Sequence, residues 1–187
     1  MKAIWTKSDI PKDKNGFKVY SCFACGGGSS FGYKLAGYEV IGANDIDKEM
    51  AKIYQANHTP KFYHLMGIQD LVKQENLPEE MFDLDILDGS PPCSTFSMSG
   101  QREKDWGKNK KFREGQAEQV LSDLFFDFIN LADKLKPKVV IAENVKGMLA
   151  GNAKQYVVKI YEAFDKAGYD TQLFLLNGSS MGVPQRR

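Results

Sequence analysis

Apolar residues in this chain alternate between two patterns. Short continuous runs are separated by stretches in which apolar positions recur every third or fourth residue. The runs read as strands: "FKVYSCF" (Phe17–Phe23), "YEVIGAN" (Tyr38–Asn44), a weaker "KFYH" (Lys61–His64), "FDLDILDGS" (Phe82–Ser90), "KVVIAEN" (Lys138–Asn144) and "TQLFLLN" (Thr171–Asn177). The fifth is short and apolar, as a buried parallel strand should be. The intervening stretches read as helices. One covers Ser30 to Ala36 and is closed by Gly37. A second is "DKEMAKIYQAN", with Met50, Ile53, Tyr54 and Asn57 at helical spacing. A third carries Leu121, Leu124, Phe125, Phe128, Ala132 and Leu135 and stops at Pro137. A fourth carries Val157, Ile160, Tyr161 and Phe164, with Gly168 as its C-cap glycine. Strands that alternate with helices predict an α/β fold, a doubly wound and mostly parallel sheet. Met1 to Gly16 is polar and reads as an N-terminal arm; residues 17–187 read as one domain.

Composition narrows this little. The chain has 187 residues, 42% hydrophobic and 26% charged, enough for one domain with a real core. A net charge of +1 gives no overall basic field, so a nucleic-acid partner must be held by a local patch. No apolar run reaches membrane-spanning length, no signal peptide is visible, and three cysteines make no disulfide framework. A reducing, cytoplasmic setting is expected.

Three constellations carry chemistry. The first is "SCFACGGGSSFG" (Ser21–Gly32), a glycine-rich turn from strand to helix. It fits neither G-x-G-x-x-G nor a P-loop. Asp45 ends the second strand, where a ribose hydroxyl is held in such folds. A glycine turn and a ribose acid without a phosphate motif suggest a nucleoside lacking pyrophosphate, such as S-adenosylmethionine. A ligand-free turn is the plainer alternative. Cys22 and Cys25 also spell C-x-x-C, but Cys93, His58 and His64 offer no zinc spacing. No metal is expected, and Cys22 reads as a core residue.

The second is "GSPPCSTFS" (Gly89–Ser97). Two prolines end the strand and stiffen a turn that presents Cys93. Ligands in doubly wound sheets bind where strand order reverses, here between the first and fourth strands. Glycine turn and sulfur would then face one crevice. The third is "ENV", which puts Glu143 at the end of the fifth strand, as an acid–base partner or a solvated acid.

With these motifs in this order, the chain resembles the cytosine-C5 DNA methyltransferases. "FACGGGSSFG" resembles their cofactor motif, "NDID" the ribose motif, "GSPPCSTFS" the nucleophile motif, "ENVKGML" the acid motif and "GVPQRR" the start of the arginine motif. The resemblance covers residues 17 to 187. It implies a Rossmann-like sheet of the S-adenosylmethionine-dependent methyltransferase type, incomplete at its C-terminal end. It implies Cys93, Glu143 and Arg187 as catalytic residues. It implies a cofactor pocket built from Phe23, Ala24, Cys25, Gly26, Gly27, Gly28, Asp45, Ile46, Ile68, Ser90, Pro92 and Leu124. Double-stranded DNA is the implied partner, with the target cytosine flipped out.

The basic segment "GQREKDWGKNKKFREG" (Gly100–Gly115) then reads as a lid over the phosphate backbone. Arg102, Lys108, Lys110, Lys111 and Arg113 would contact DNA, with Ser94 beside the nucleophile. A solvated loop is the alternative. The chain departs from the family where Ser21 stands for Asp, Cys25 for Gly, Asp45 for Glu, and Gly67 for the acid that holds the adenine amine. It ends at Arg187, inside the arginine motif and before the recognition region. Three readings follow: the catalytic part of an active enzyme, a truncated domain that binds without turnover, or half of a split enzyme completed by a second polypeptide. A tRNA substrate is a further alternative. By itself the chain is expected to bind cofactor weakly and to be catalytically silent. A bacterial or phage-like, nucleoid-associated protein is implied.

Overall fold

The computed structural model describes residues 5–92, 109–110, 119–120, 123–150 and 153–183. The chain runs through β1 (Lys18–Cys22), α1 (Gly28–Leu35), β2 (Glu39–Asp45), α2 (Lys48–His58), β3 (Phe62–Leu65), α3 (Ile68–Lys73) and β4 (Ile86–Gly89). A short antiparallel pair follows, β5 (Asn109–Lys110) with β6 (Gln119–Val120). The chain then continues through α4 (Leu124–Leu135), β7 (Val139–Ala142) and α5 (Ala153–Lys166). Five strands make one sheet in the order β3-β2-β1-β4-β7, and every pair in it is parallel. Strand order therefore reverses between β1 and β4, where the alternation of runs and periodic stretches predicted it.

Successive side chains of a strand point to opposite faces, so each strand feeds two cores. Tyr20, Cys22, Ile41 and Leu87 point to one face and join Ile68 and Leu71 of α3, Phe128 and Leu131 of α4, and Ile160 and Phe164 of α5. On the other face Val19, Val40 and Ile86 pack with Tyr33 and Tyr38, and Ala24, Ala43 and Tyr54 with Tyr63. Cys22 is 1% exposed, and burial pushes its thiol pKa well up, as a core residue requires.

Three expectations need correction, and one helix was not foreseen. The buried stripe of α2 is Ala51, Tyr54 and His58, while Ile53 and Asn57 are exposed. Spacing identifies a helix, but the sheet chooses which face it meets. α3 was not predicted, because six residues are too few for periodicity to show. β7 is parallel as expected but not buried: Val139 and Ile141 are exposed, because among the described residues β7 pairs only with β4. Residues 171–177 form no strand, and Phe174 is 69% exposed. An extended segment becomes a strand only against a ladder partner, and this one has none among the described residues.

Candidate active site

β1 delivers the chain into the glycine turn through unusual backbone. Phe23 and Cys25 have φ of 53° and 47°, and Gly27 has φ of 90°. Left-handed conformations at two non-glycine residues are costly, and they persist because neighbours hold them. The Ala24 amide donates to the Asn44 carbonyl (3.0 Å), which ties the turn to the end of β2. The Cys25 amide donates to Oδ2 of Asp45 (2.7 Å) and the Asp47 amide to its Oδ1 (2.8 Å). The half-buried Asp45 thus draws together the glycine turn and the start of α2. Each of its oxygens keeps a lone pair free for a further donor, such as a sugar hydroxyl.

The turn leaves bare backbone where a ligand could lie. A Cβ at Gly28 would meet nothing within 4 Å, and one at Gly26 only Ile53, at 3.8 Å. Gly27 differs: a Cβ there would fall 2.2 Å from Nε2 of His58. The buried His58 ring is hydrogen-bonded to the Gly27 backbone and stacks on Tyr54 at 4.6 Å between centroids. Burial lowers its pKa, and Lys34 and Lys7 lower it further, so it stands neutral beneath the turn at pH 7. Phe23, half-buried, lies 6.4 Å from Phe128 between centroids. Ala24 is buried and Ile46 is half-buried.

Asp88 is a buried acid that binds the strand and helix on either side of the glycine turn, and sequence reading missed it. It is 5% exposed and sits in register with Ser21 on β1. Ser21 and Ser29 donate to its Oδ2 (3.0 and 2.6 Å), and the Tyr33 hydroxyl donates to Oδ1 (3.3 Å). One carboxylate therefore joins β1, β4 and α1. The signal was available, as an acid in the apolar "ILDG" on the same face as Ile86. Burial raises the Asp88 pKa against the lowering by Ser29, Ser21 and Tyr33. Asp88→Ala leaves three hydroxyls unpaired and is expected to destabilise by about 3 kcal/mol in urea unfolding. Because the folded pKa is raised, Asp88's contribution is complete below the unfolded carboxylate value and falls as pH rises through the folded value. Asp88→Asn should flatten that slope; an unchanged slope would show that Asp88 does not cause it.

β4 leads from Asp88 into the Pro-Pro turn, with Ser90 exposed, Pro91 buried and Pro92 half-buried. Two bonds tie this turn to the end of β7. The Glu143 amide donates to the Gly89 carbonyl (2.9 Å), and Nδ2 of Asn144 donates to the Pro91 carbonyl (3.0 Å). The exposed Glu143 is thus anchored three residues before Pro92, the last described residue of the turn. Asn144 was visible within "ENV" but was not singled out as a positioning residue. Ile68 and Leu124 are each 2% exposed, within the core. Both belong to the core cluster that also holds Tyr20, Cys22 and Leu87.

Cys93, Ser94, Arg102, Lys108, Lys111, Arg113 and Arg187 lie outside the described residues. Lys110 is described only as backbone, in β5, so the basic segment that reads as a lid contains one strand of a two-stranded ladder. Among the described residues no helix is long and apolar enough to cross a membrane.

Comparison with known proteins agrees with this arrangement. The chain is 34% identical over 181 residues to the type II methyltransferase M.NgoPII of Neisseria gonorrhoeae, covering 97% of this chain and 48% of that protein. It is 34% identical over 170 residues to M.FnuDI of Fusobacterium nucleatum, covering 91% of this chain and 44% of that one. It spans about half the length of these curated relatives. The crystal structure of the Schizosaccharomyces pombe Dnmt2 methyltransferase shares the fold, with a TM-score of 0.52 at 22% identity over 78% of this chain and 40% of that one. The model of the C-5 cytosine-specific DNA methylase family matches residues 17–187, and the chain belongs to that family.

Proposed function

We propose that this chain carries the catalytic half of a DNA cytosine-C5 methyltransferase, with residues 17–187 as the S-adenosylmethionine-binding domain and residues 1–16 as an arm. The observation that supports it most is the pair of bonds from Glu143 and Asn144 to Gly89 and Pro91. They hold the acid beside the turn that leads to Cys93, at the strand reversal shared with the glycine turn. The residues present suit the cofactor. Asp45 keeps acceptor capacity for a ribose, and Gly26 and Gly28 leave backbone open to a nucleoside.

When bound, S-adenosylmethionine supplies an electrophilic methyl group. The chain's own task is to make C5 of cytosine nucleophilic. The Cys93 thiolate adds to C6, forming an S–C6 bond, and the C5–C6 π electrons become available at C5. Glu143 holds N3 and the exocyclic amine and offsets the charge that develops on the ring. After methyl transfer a base removes the C5 proton, the C5–C6 double bond re-forms, and Cys93 leaves as thiolate. The target base reaches the crevice only when flipped from its stack. The basic segment around Lys110 would meet the DNA backbone, and Arg187 would add positive charge at the base.

A second polypeptide, or further chain, would supply the recognition surface. The edge of β7 that has no partner among the described residues and the exposed apolar residues Leu173 to Leu176 are the surface it would cover. The test combines binding with labelled methyl transfer to mixed-sequence DNA and to tRNA, with and without the C-terminal half of a relative such as M.NgoPII. S-adenosylhomocysteine should bind the chain weakly, and Asp45→Ala should weaken binding at least about tenfold by loss of charge-assisted hydrogen bonds. Binding unaffected by Asp45→Ala would overturn the ribose role. Transfer to tRNA but not DNA would overturn the substrate.

A further inference from the structure

We propose that the side-chain amide of Gln69 reads the Watson–Crick edge of the cofactor's adenine. The inference rests on the cofactor reading above and adds a residue to it. Its starting point is an atom without a partner. Oε1 of Gln69 is shielded from solvent and has no hydrogen bond. A buried amide oxygen left in this way is rare in folded proteins and calls for an explanation.

The amide lies directly on Gly67. Its Oε1, Cδ and Nε2 stand 2.8, 3.1 and 3.3 Å from where a Cβ at residue 67 would be. Gly67 has φ of −63°, so its backbone does not require glycine. In this structure the Gln69 carboxamide lies where a side chain at 67 would begin, so a larger residue there would make the flexible glutamine swing aside. Glycine at 67 thus leaves room for the Gln69 carboxamide.

The pair is fixed at the carboxyl end of the sheet, on the ribose side of the crevice. The Met66 amide donates to the Asp45 carbonyl (3.1 Å), and Nδ2 of Asn44 donates to the carbonyls of His64 (2.9 Å) and Met66 (2.8 Å). Asp45, the ribose acid of the proposal, is thus bonded through its own backbone to the residue before Gly67. A base attached to a ribose held at Asp45 would turn its polar edge toward this turn. Adenine presents an amino donor at N6 and an acceptor at N1. A carboxamide presents the complementary acceptor and donor. A carboxylate, the group this family places at 67, offers acceptors only.

That difference provides the test. S-adenosylhomocysteine and S-inosylhomocysteine, in which O6 replaces the amine and N1 carries a proton, are compared by saturation-transfer NMR and equilibrium dialysis on the 187-residue chain. Gln69→Leu should weaken S-adenosylhomocysteine at least about tenfold while the melting temperature holds or rises, because an orphaned polar group has been removed from a buried place. A purely structural glutamine would lower it. A carboxamide can rotate to serve the inosine edge, so the wild-type chain should bind both ligands within about fivefold. The double variant Gly67→Asp, Gln69→Ala should bind S-adenosylhomocysteine but disfavour the inosine analogue by well over about tenfold. If Gln69→Leu binds S-adenosylhomocysteine as the wild type does, the role of Gln69 is overturned and the cofactor reading stands. If the folded wild-type chain binds neither ligand at millimolar concentration, the cofactor reading falls and this inference falls with it.

Discussion

Cys93→Ser should abolish covalent capture of DNA that contains 5-fluorocytosine and cut methyl transfer by about 10⁴-fold or more, the scale of losing a covalent nucleophile. The physical basis is the turn. Pro91 and Pro92 remove backbone freedom immediately before the sulfur, and the Pro91 carbonyl is held by Asn144 (3.0 Å). With fluorine at C5 no proton can leave, so the S–C6 bond cannot be released. The buried Cys22 cannot substitute, because its thiol pKa is pushed up by burial and it lies within the core. The chain spans about half of its relatives' length, so trapping is read on denaturing gels with the chain alone and with the C-terminal half of M.NgoPII added. The assignment fails if Cys93→Ser still traps DNA. It fails equally if an added half restores methylation while the wild type never traps.

Gly27→Ala is expected to be the most damaging single change within the described residues. Two costs combine. A φ of 90° is unfavourable for any side chain with a Cβ, at about 1–2 kcal/mol. The new carbon would also stand 2.2 Å from His58, whose ring is packed against Tyr54 and cannot retreat into solvent. Together these should destabilise by about 3–5 kcal/mol and remove detectable S-adenosylhomocysteine binding. Relief has a defined route: His58→Ala opens space beneath the turn. The double variant should therefore regain stability relative to Gly27→Ala alone, though not the φ cost. Equal stability of Gly27→Ala and wild type in urea unfolding would show that the turn is not held as described.

Much of this arrangement was legible before any coordinates. Strand runs are local, so β1 to β4, β7 and their alternation with α1, α2, α4 and α5 follow from apolar spacing and from Gly37, Pro137 and Gly168. Glycines that demand particular backbone, and prolines that forbid it, announce a turn wherever they stand. The motifs of the crevice were legible for that reason, and the reversal between β1 and β4 follows from the order of elements.

What the spacing could not carry is anything that depends on a partner far along the chain. "TQLFLLN" has the composition of a strand yet forms none among the described residues, because a strand exists only in a ladder. Val139 and Ile141 have core chemistry yet are exposed, because burial is a property of neighbours. Asp88 stands in the sequence as one acid within an apolar strand; only the register that sets it beside Ser21, with Ser29 and Tyr33 of α1 donating to it, makes it a buried hub. Gln69 carries no motif, and its meaning comes from the empty place at Gly67. The sequence by itself determined most of the elements, their order and the glycine and proline turns, since backbone freedom and periodicity act within a few residues. The tertiary structure decided which polar groups are buried, which are paired and which lack a partner among the described residues, since those follow from contacts between residues tens of positions apart.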